Sequence, residues 1–556
     1  MRSGNMALTT KCILLFSLLT GGLMSDSKSD KEVRHDVSVQ DVVFVIRNQE
    51  HPFHLKRARL LKADIEQQCR VLGLEKPKIV LLTEKYGESG HWVIFPLLPK
   101  LGEHYGKPKY KWIFFCEEET RVKIPGLLNV LRRYDPSEFW FLGKELRDQA
   151  PSIIHHYRFH NDPSVFAFPD FEAGWLLSVP LLQVLSDRWK TGDHHMDFTI
   201  DLKHEIAFFI WDDGKGVKLT HVQELCSGNI GSNDPPSNDD DVAKAKMEKE
   251  SKDAEMRRRR NKGKEKAECV TTYPIDMMEC GPAVSKKNLY FAVKTCEKFH
   301  KDRVPVVKNT WAQYVKHIQY FSETEDKTIP TVVTGIPNTE RGHCGKTFFI
   351  FDHFLNDAWL KHIPWLIITD DDTILSVSRL QRVLSCYDPE TPVYLGERYG
   401  FGHTKHGWGY DYITGGGGMV FSRSAVQEMI SNGCQCRSNA DPDDMIIGAC
   451  VKRIGQVITH SPLFHQARPA DYVPAFLQHQ TPVSFHKHSN GDPYQVYKDW
   501  FQVDDEKGDL VLDLQDDDND DDGESNDLAQ SKTEDKGSEE AEETVVTVRT
   551  DKHTEL

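Results

Sequence analysis

The sequence contains no N-x-S/T sequon and no cysteine spacing that would cage zinc. Beyond its first two dozen residues it has no apolar run long enough to cross a bilayer. The first absence leaves this chain without an acceptor for N-glycosylation. The second turns the cysteines toward disulfides, since Cys434 and Cys436 form a C-x-C with no second pair. The third excludes a polytopic membrane protein. A basic excess is missing too. The net charge is −16, but from Val503 onward 21 acidic residues face 5 basic ones, which accounts for all of it. The rest of the chain is near neutral, so capture of nucleic acid or of an anionic membrane is not indicated. Ser232–Glu268 lacks aromatics and has Val242 as its sole branched aliphatic. It has too little apolar surface to order itself and reads as a charged linker.

The start, MRSGNMALTTKCILLFSLLTGGLMSDS, places Arg2 and Lys11 ahead of an apolar stretch from Cys12 to about Met24. This is the pattern of a signal peptide over residues 1–25, not of a membrane span. In the oxidising compartment it implies, the eleven remaining cysteines are expected to pair for the most part, with an odd thiol over and the connectivity open. The last four residues, HTEL, resemble a KDEL-type signal. The expected location is therefore the lumen of the endoplasmic reticulum, with a retrieval receptor as one partner. Residues 503–556, with DLQDDDNDDDGESND at their centre, read as a disordered acidic tail.

At 556 residues the chain is too long for one core. Two blocks, 33–231 and 269–502, repeat one another. KWIFFCEEET and PWLIITDDDT set Glu117 and Asp370 253 residues apart, and YDPSEFWFLG and YDPETPVYLG give the same offset for Tyr134 and Tyr387. Apolar runs such as VVFVI, WIFFC and FWFLG, then LYFAV, WLIIT and PVYLG, alternate with amphipathic stretches. This is the rhythm of an α/β fold with a mainly parallel sheet in each block. Both carboxylate triplets follow a strand, and ligands of open α/β sheets bind beyond the carboxyl ends of strands.

In the second triplet Asp370 and Asp372 can converge while Asp371 faces away, a geometry that suits Mg²⁺ or Mn²⁺ on a diphosphate. Gly415, Gly416, Gly417 and Gly418 would let backbone approach a substrate closely. In NADPDDMIIGACV, Asp443 and Asp444 precede an apolar helix; one can cap it while the other takes a proton from an acceptor hydroxyl. His465, His486 and His488 are candidates to complete a metal shell.

In the order TDDDT, GGGG, PDDM and SPLFH the second block resembles the inverting β1,3-glycosyltransferases that include Fringe and the β1,3-galactosyltransferases. The resemblance implies two tandem GT-A (Rossmann-like) units, the first degenerate. It implies UDP-glucose as donor, a Mn²⁺ (or Mg²⁺) ion, and O-linked fucose on folded thrombospondin type 1 repeats as acceptor. Asp372 falls on a metal ligand, Asp370 and Asp371 lie around donor ribose and metal, Asp444 falls on the catalytic base, and His465 lies close to the metal histidine. In the first block Glu117, Glu118 and Glu119 are longer, FEAGW replaces the glycine run, and Asp197 roughly parallels Asp444. That block is expected to have lost donor binding and to position the protein acceptor. The rival reading is a non-catalytic lumenal lectin or quality-control factor.

Overall fold

The computed structural model describes residues 34–87, 91–192, 197–228, 268–274, 280–403, 409–488 and 490–508. The expected signal peptide, most of the linker and the HTEL end lie outside them. Two sheets are built on one plan. From edge to edge the first runs Lys78–Leu81, Val42–Arg47, Trp112–Glu117, Trp175–Ser178, Phe141–Gly143, Thr220–His221. The second runs Thr331–Val333, His317–Ser322, Leu289–Lys294, Trp365–Asp370, Met419–Ser422, Tyr394–Gly396, Thr459–His460. Apart from the extra edge strand Thr331–Val333 the orders are identical. In both, the strand after the carboxylate strand is antiparallel to it. Central strands are buried along nearly their whole length, as expected where helices cover both faces. Helix Pro52–Val71 shows how the cover forms, burying His54, Ala58, Leu61, Ile65 and Cys69 along one stripe.

Register carries the repeat into the sites. Arg47 stands beside Glu117 in the first sheet and Lys294 beside Asp370 in the second, so each carboxylate strand ends next to a cation from its parallel neighbour. One hydrophobic cluster runs through both units. The Gln49 side chain bonds both the N–H (2.7 Å) and the C=O (2.9 Å) of His460, pairing like a short backbone strand.

Two boundaries differ from the sequence reading. Residues 269–274 attach to the first unit, not the second. Cys269 is disulfide-bonded to Cys226, and Thr271–Thr272 pairs with Arg121–Val122. The other bridges, Cys280–Cys386, Cys344–Cys436 and Cys434–Cys450, lie in the second unit, and Cys69, Cys116 and Cys296 are buried thiols. Residues 503–508, read as the start of the acidic tail, are instead helical. Asp505 is 1% exposed and accepts hydrogen bonds from Ser376 Oγ (2.7 Å), Ser378 N (2.9 Å) and Tyr497 Oη (2.9 Å). Composition masked this, because one acid among many becomes structural only when a helix N-terminus lies opposite it. Asp505→Ala is expected to cost about 1–3 kcal/mol, read as a lower thermal midpoint.

Candidate active site

Strand Trp365–Asp370 delivers the aspartates to the carboxyl edge of the second sheet. Asp371 turns inward, accepting from Thr295 Oγ1 (2.7 Å) and Arg303 (3.0 Å), and burial pushes its carboxyl up to about 6. Asp370 and Asp372 remain partly exposed. Lys294 lies 3.1 Å from Asp370; despite burial, this ammonium and His486 hold Asp370 at about 2. Asp372 meets Arg303 (2.9 Å) and His486 Nε2 (2.9 Å).

His486 is there because of strand pairing. Thr373–Leu375, just after the triplet, runs antiparallel to Ser484–His486 with Thr373 opposite His486. Its Nδ1 bonds the Gln466 carbonyl (3.0 Å), which leaves Nε2 toward the aspartates. Among the described residues, oxygens of Asp370 and Asp372 and a ring nitrogen of His486 lie within 4.8 Å of one another. Two hard carboxylates and an imidazole oriented by a carbonyl fit a divalent cation.

His465 does not take part, contrary to the reading from SPLFH. It is 2% exposed, stacks on Phe485 (4.9 Å) and meets Tyr472 at a tilt (4.5 Å), and burial lowers its ring to about 3. Its segment braces the glycine turn from behind, where the Gln466 side chain accepts from Gly417 N (2.8 Å). His488 is held down to about 4 by burial and is not in the cluster.

The two aspartates of PDDM divide their work. Both sit in the first turn of helix Asp443–Arg453, where the helix dipole favours negative charge. Asp443 is ion-paired with Lys294 (2.6 Å) and accepts from Thr347 Oγ1 (2.6 Å), which keeps its pKa low. Among the described residues Asp444 accepts only backbone hydrogen bonds, from Met445 N (2.7 Å) and Gly415 N. Burial and the charge of Asp443 push it up to about 7, the range a base needs at neutral pH.

The glycines also differ in role. A Cβ on Gly416 would overlap the His486 ring, so this glycine admits the histidine. Gly418, at φ +97°, takes a left-handed turn into the next strand. Gly415 borders Lys294 and Asp443 with nothing closer than 3.8 Å to a Cβ, as open as Gly418 but without its positive φ.

In the first unit each carboxylate of the triplet already has a protein partner. Arg47 Nε holds Glu117 at 2.8 Å, His54 binds Glu118, and Arg57 binds Glu119. Trp175 stacks on Phe115 at 4.1 Å, and Glu172 is buried and pushed up to about 8. The residue at the start of the helix equivalent to Asp443–Arg453 is Asp201, not Asp197. Asp201 caps Leu202–Trp211 and is tied to His155 (3.0 Å) and Lys203 (3.1 Å).

A family model described as Fringe-like matches residues 98–227 and 284–507, one segment in each unit. This chain belongs to the Fringe-like family. A mouse protein named Beta-1,3-glucosyltransferase is 50% identical over 467 residues, covering 84% of this chain and 88% of the relative. The human protein of that name is 47% identical over 502 residues, covering 89% and 93%. Chicken Beta-1,3-N-acetylglucosaminyltransferase radical fringe is 28% identical over 213 residues, covering 32% of this chain and 54% of the relative. The Fringe-like chain is thus a glycosyltransferase, and its tandem α/β units are of the GT-A class expected from the sequence. Missed in the sequence were Lys294 and Arg303, although a cation closing each first strand, VVFVIR and LYFAVK, was a visible signal.

Proposed function

We propose that the second unit moves glucose from UDP-glucose to the 3-hydroxyl of O-linked fucose on folded thrombospondin type 1 repeats, with inversion. The observation that carries this reading is the contrast within PDDM: Asp443 is ion-paired with Lys294, while Asp444 forms no ion pair among the described residues and has a pKa raised to about 7. In the proposed reaction the acceptor oxygen attacks C1 of the α-linked glucose opposite the phosphate. The bond from C1 to the acceptor oxygen forms, the bond from C1 to the phosphate oxygen breaks, UDP leaves with that electron pair, and the proton passes to Asp444. No covalent glycosyl-enzyme is required. Asp370, Asp372 and His486 would hold Mn²⁺ or Mg²⁺, whose chemistry when bound is to offset negative charge on the departing diphosphate. Lys294 and Arg303 orient those carboxylates. Gly415 offers its open backbone to the donor. The reaction belongs in the lumen of the secretory pathway, where the chain's disulfides can form; among the described residues no helix is long and apolar enough to cross a membrane.

The test is UDP release from UDP-glucose with a fucosylated repeat, with mass spectrometry of the product. A β1,3-linked hexose on fucose, lost on chelation, is expected. Binding of the repeat without UDP release would favour a lectin.

The first unit, in this reading, no longer binds donor, because Phe171 and Glu172 stand at the turn where the second unit has Gly415 and Gly416. The isosteric triple variant Glu117→Gln, Glu118→Gln, Glu119→Gln is expected to release UDP from UDP-glucose at the parent's rate in the absence of acceptor. Loss of that turnover in a variant that melts like the parent would refute the assignment.

A further inference from the structure

A small sheet joins the two units beside the proposed base. Phe198–Thr199 of the first unit pairs antiparallel with Arg398–Phe401 of the second, which pairs in turn with Tyr410–Ile413. In this register Phe198 lies opposite Phe401 and Phe401 opposite Tyr410, so the three rings share one face, with Tyr412 two residues along it. The ring centroids step from Phe198 to Phe401 (5.0 Å), to Tyr410 (5.6 Å), to Tyr412 (6.5 Å).

Exposure falls along the row, from 39% at Phe198 to 5% at Tyr412. Neither Phe198, Phe401 nor Tyr410 belongs to the core clusters. The inner end is anchored on helix Asp443–Arg453, where Gly448 lies against Tyr412. It is also close to the base: Asp444 and Gly448 are four residues apart in that helix and so lie on one face of it. A row of rings thus descends from solvent to Asp444, and it is separate from the aspartate, lysine and arginine groups assigned to the donor.

We propose that Phe198, Phe401 and Tyr410 form the acceptor platform, on which the apolar C–H face of the acceptor pyranose stacks, with Phe198 supplied by the first unit. This deepens the glycosyl-transfer reading and rests on it. The occupant follows from position, since a group reaching Asp444 along this row must present the hydroxyl that Asp444 deprotonates. Sugar rings carry apolar C–H faces that pack on aromatic side chains. The platform also gives the first unit a task that needs no donor site of its own: it completes the second unit's acceptor subsite.

The experiment measures KM for para-nitrophenyl α-fucoside, KM for UDP-glucose, and acceptor-independent UDP release in Phe198→Ala and Phe401→Ala. Loss of one stacking ring is expected to raise the acceptor KM about 3- to 10-fold. The UDP-glucose KM and acceptor-independent release should stay at parent values, which also shows that the variants are folded. Phe198→Tyr and Phe401→Trp should restore the acceptor KM, a rescue that a purely structural role for strand Phe198–Thr199 would not produce. An acceptor KM unchanged in both alanine variants overturns the platform. Absence of transfer by the unaltered protein overturns instead the reading on which it rests.

Discussion

Asp444→Asn is expected to lower glucosyl transfer about 10²- to 10⁴-fold while leaving UDP-glucose binding within a few-fold of the parent, as measured by product formation and by donor titration. The amide keeps the size of the side chain and an acceptor oxygen for Met445 N, but it takes up no proton at neutral pH. In the parent, a base raised to about 7 is protonated below that pH, so kcat/KM should fall tenfold per unit on the acid side. A bound cation favours the carboxylate and moves this limb to lower pH. The stability effect has the opposite sign. A carboxyl near 7 when folded and near 4 when unfolded is a penalty fully present above pH 7 that shrinks as pH falls toward 4. Asp444→Asn should therefore melt above the parent at pH 8, with the gain fading toward pH 5. A variant that transfers glucose at the parent's speed would remove the central claim.

Gly416→Ala carries the second large effect. The added methyl would overlap the His486 ring, which is held on one side by the Gln466 carbonyl (3.0 Å) and on the other by Asp372 (2.9 Å). The ring cannot give way without losing one of these bonds, so Nε2 moves away from the aspartate pair. Disturbing the orientation of a metal-binding histidine typically costs 10- to 100-fold in affinity. The Mn²⁺ concentration for half-maximal activity should rise by about that factor, and excess Mn²⁺ should recover part of the rate. His486→Ala should show a loss of the same kind, and the double variant should be little worse than either, because both changes remove one ligand. His465→Ala should leave the Mn²⁺ requirement unaltered. Gly415→Ala separates metal from donor: a methyl there meets no protein atom within 3.8 Å, so a raised UDP-glucose KM with unchanged Mn²⁺ dependence would report donor contact.

The places where reading the sequence succeeded and failed follow the range of the interactions involved. The carboxylate triplets were legible because an apolar strand followed by acids is a local pattern, and its recurrence at a fixed offset gave a second copy as a check. Asp505 was not legible, since it looks like its acidic neighbours until Ser376 and Ser378 are brought against it. His465 was favoured because it closes a recognisable run. A linear run fixes the path of the backbone, but here the ring points into the aromatic contact with Tyr472 and Phe485.

By itself the sequence determined the duplication, the α/β rhythm, the strand ends bearing acids, the glycine turn and the pair of aspartates opening a helix. All of these rest on periodicity, turn chemistry and chain neighbours. Tertiary structure alone decided that His486 faces the aspartates, that Lys294 pairs with Asp443 and that Asp444 forms no ion pair among the described residues, that Arg47, His54 and Arg57 pair with the first triplet, and that Phe198 crosses to the second unit. Each of these depends on register between strands and helices distant in the chain. A shift of one residue in such pairing turns every side chain to the opposite face.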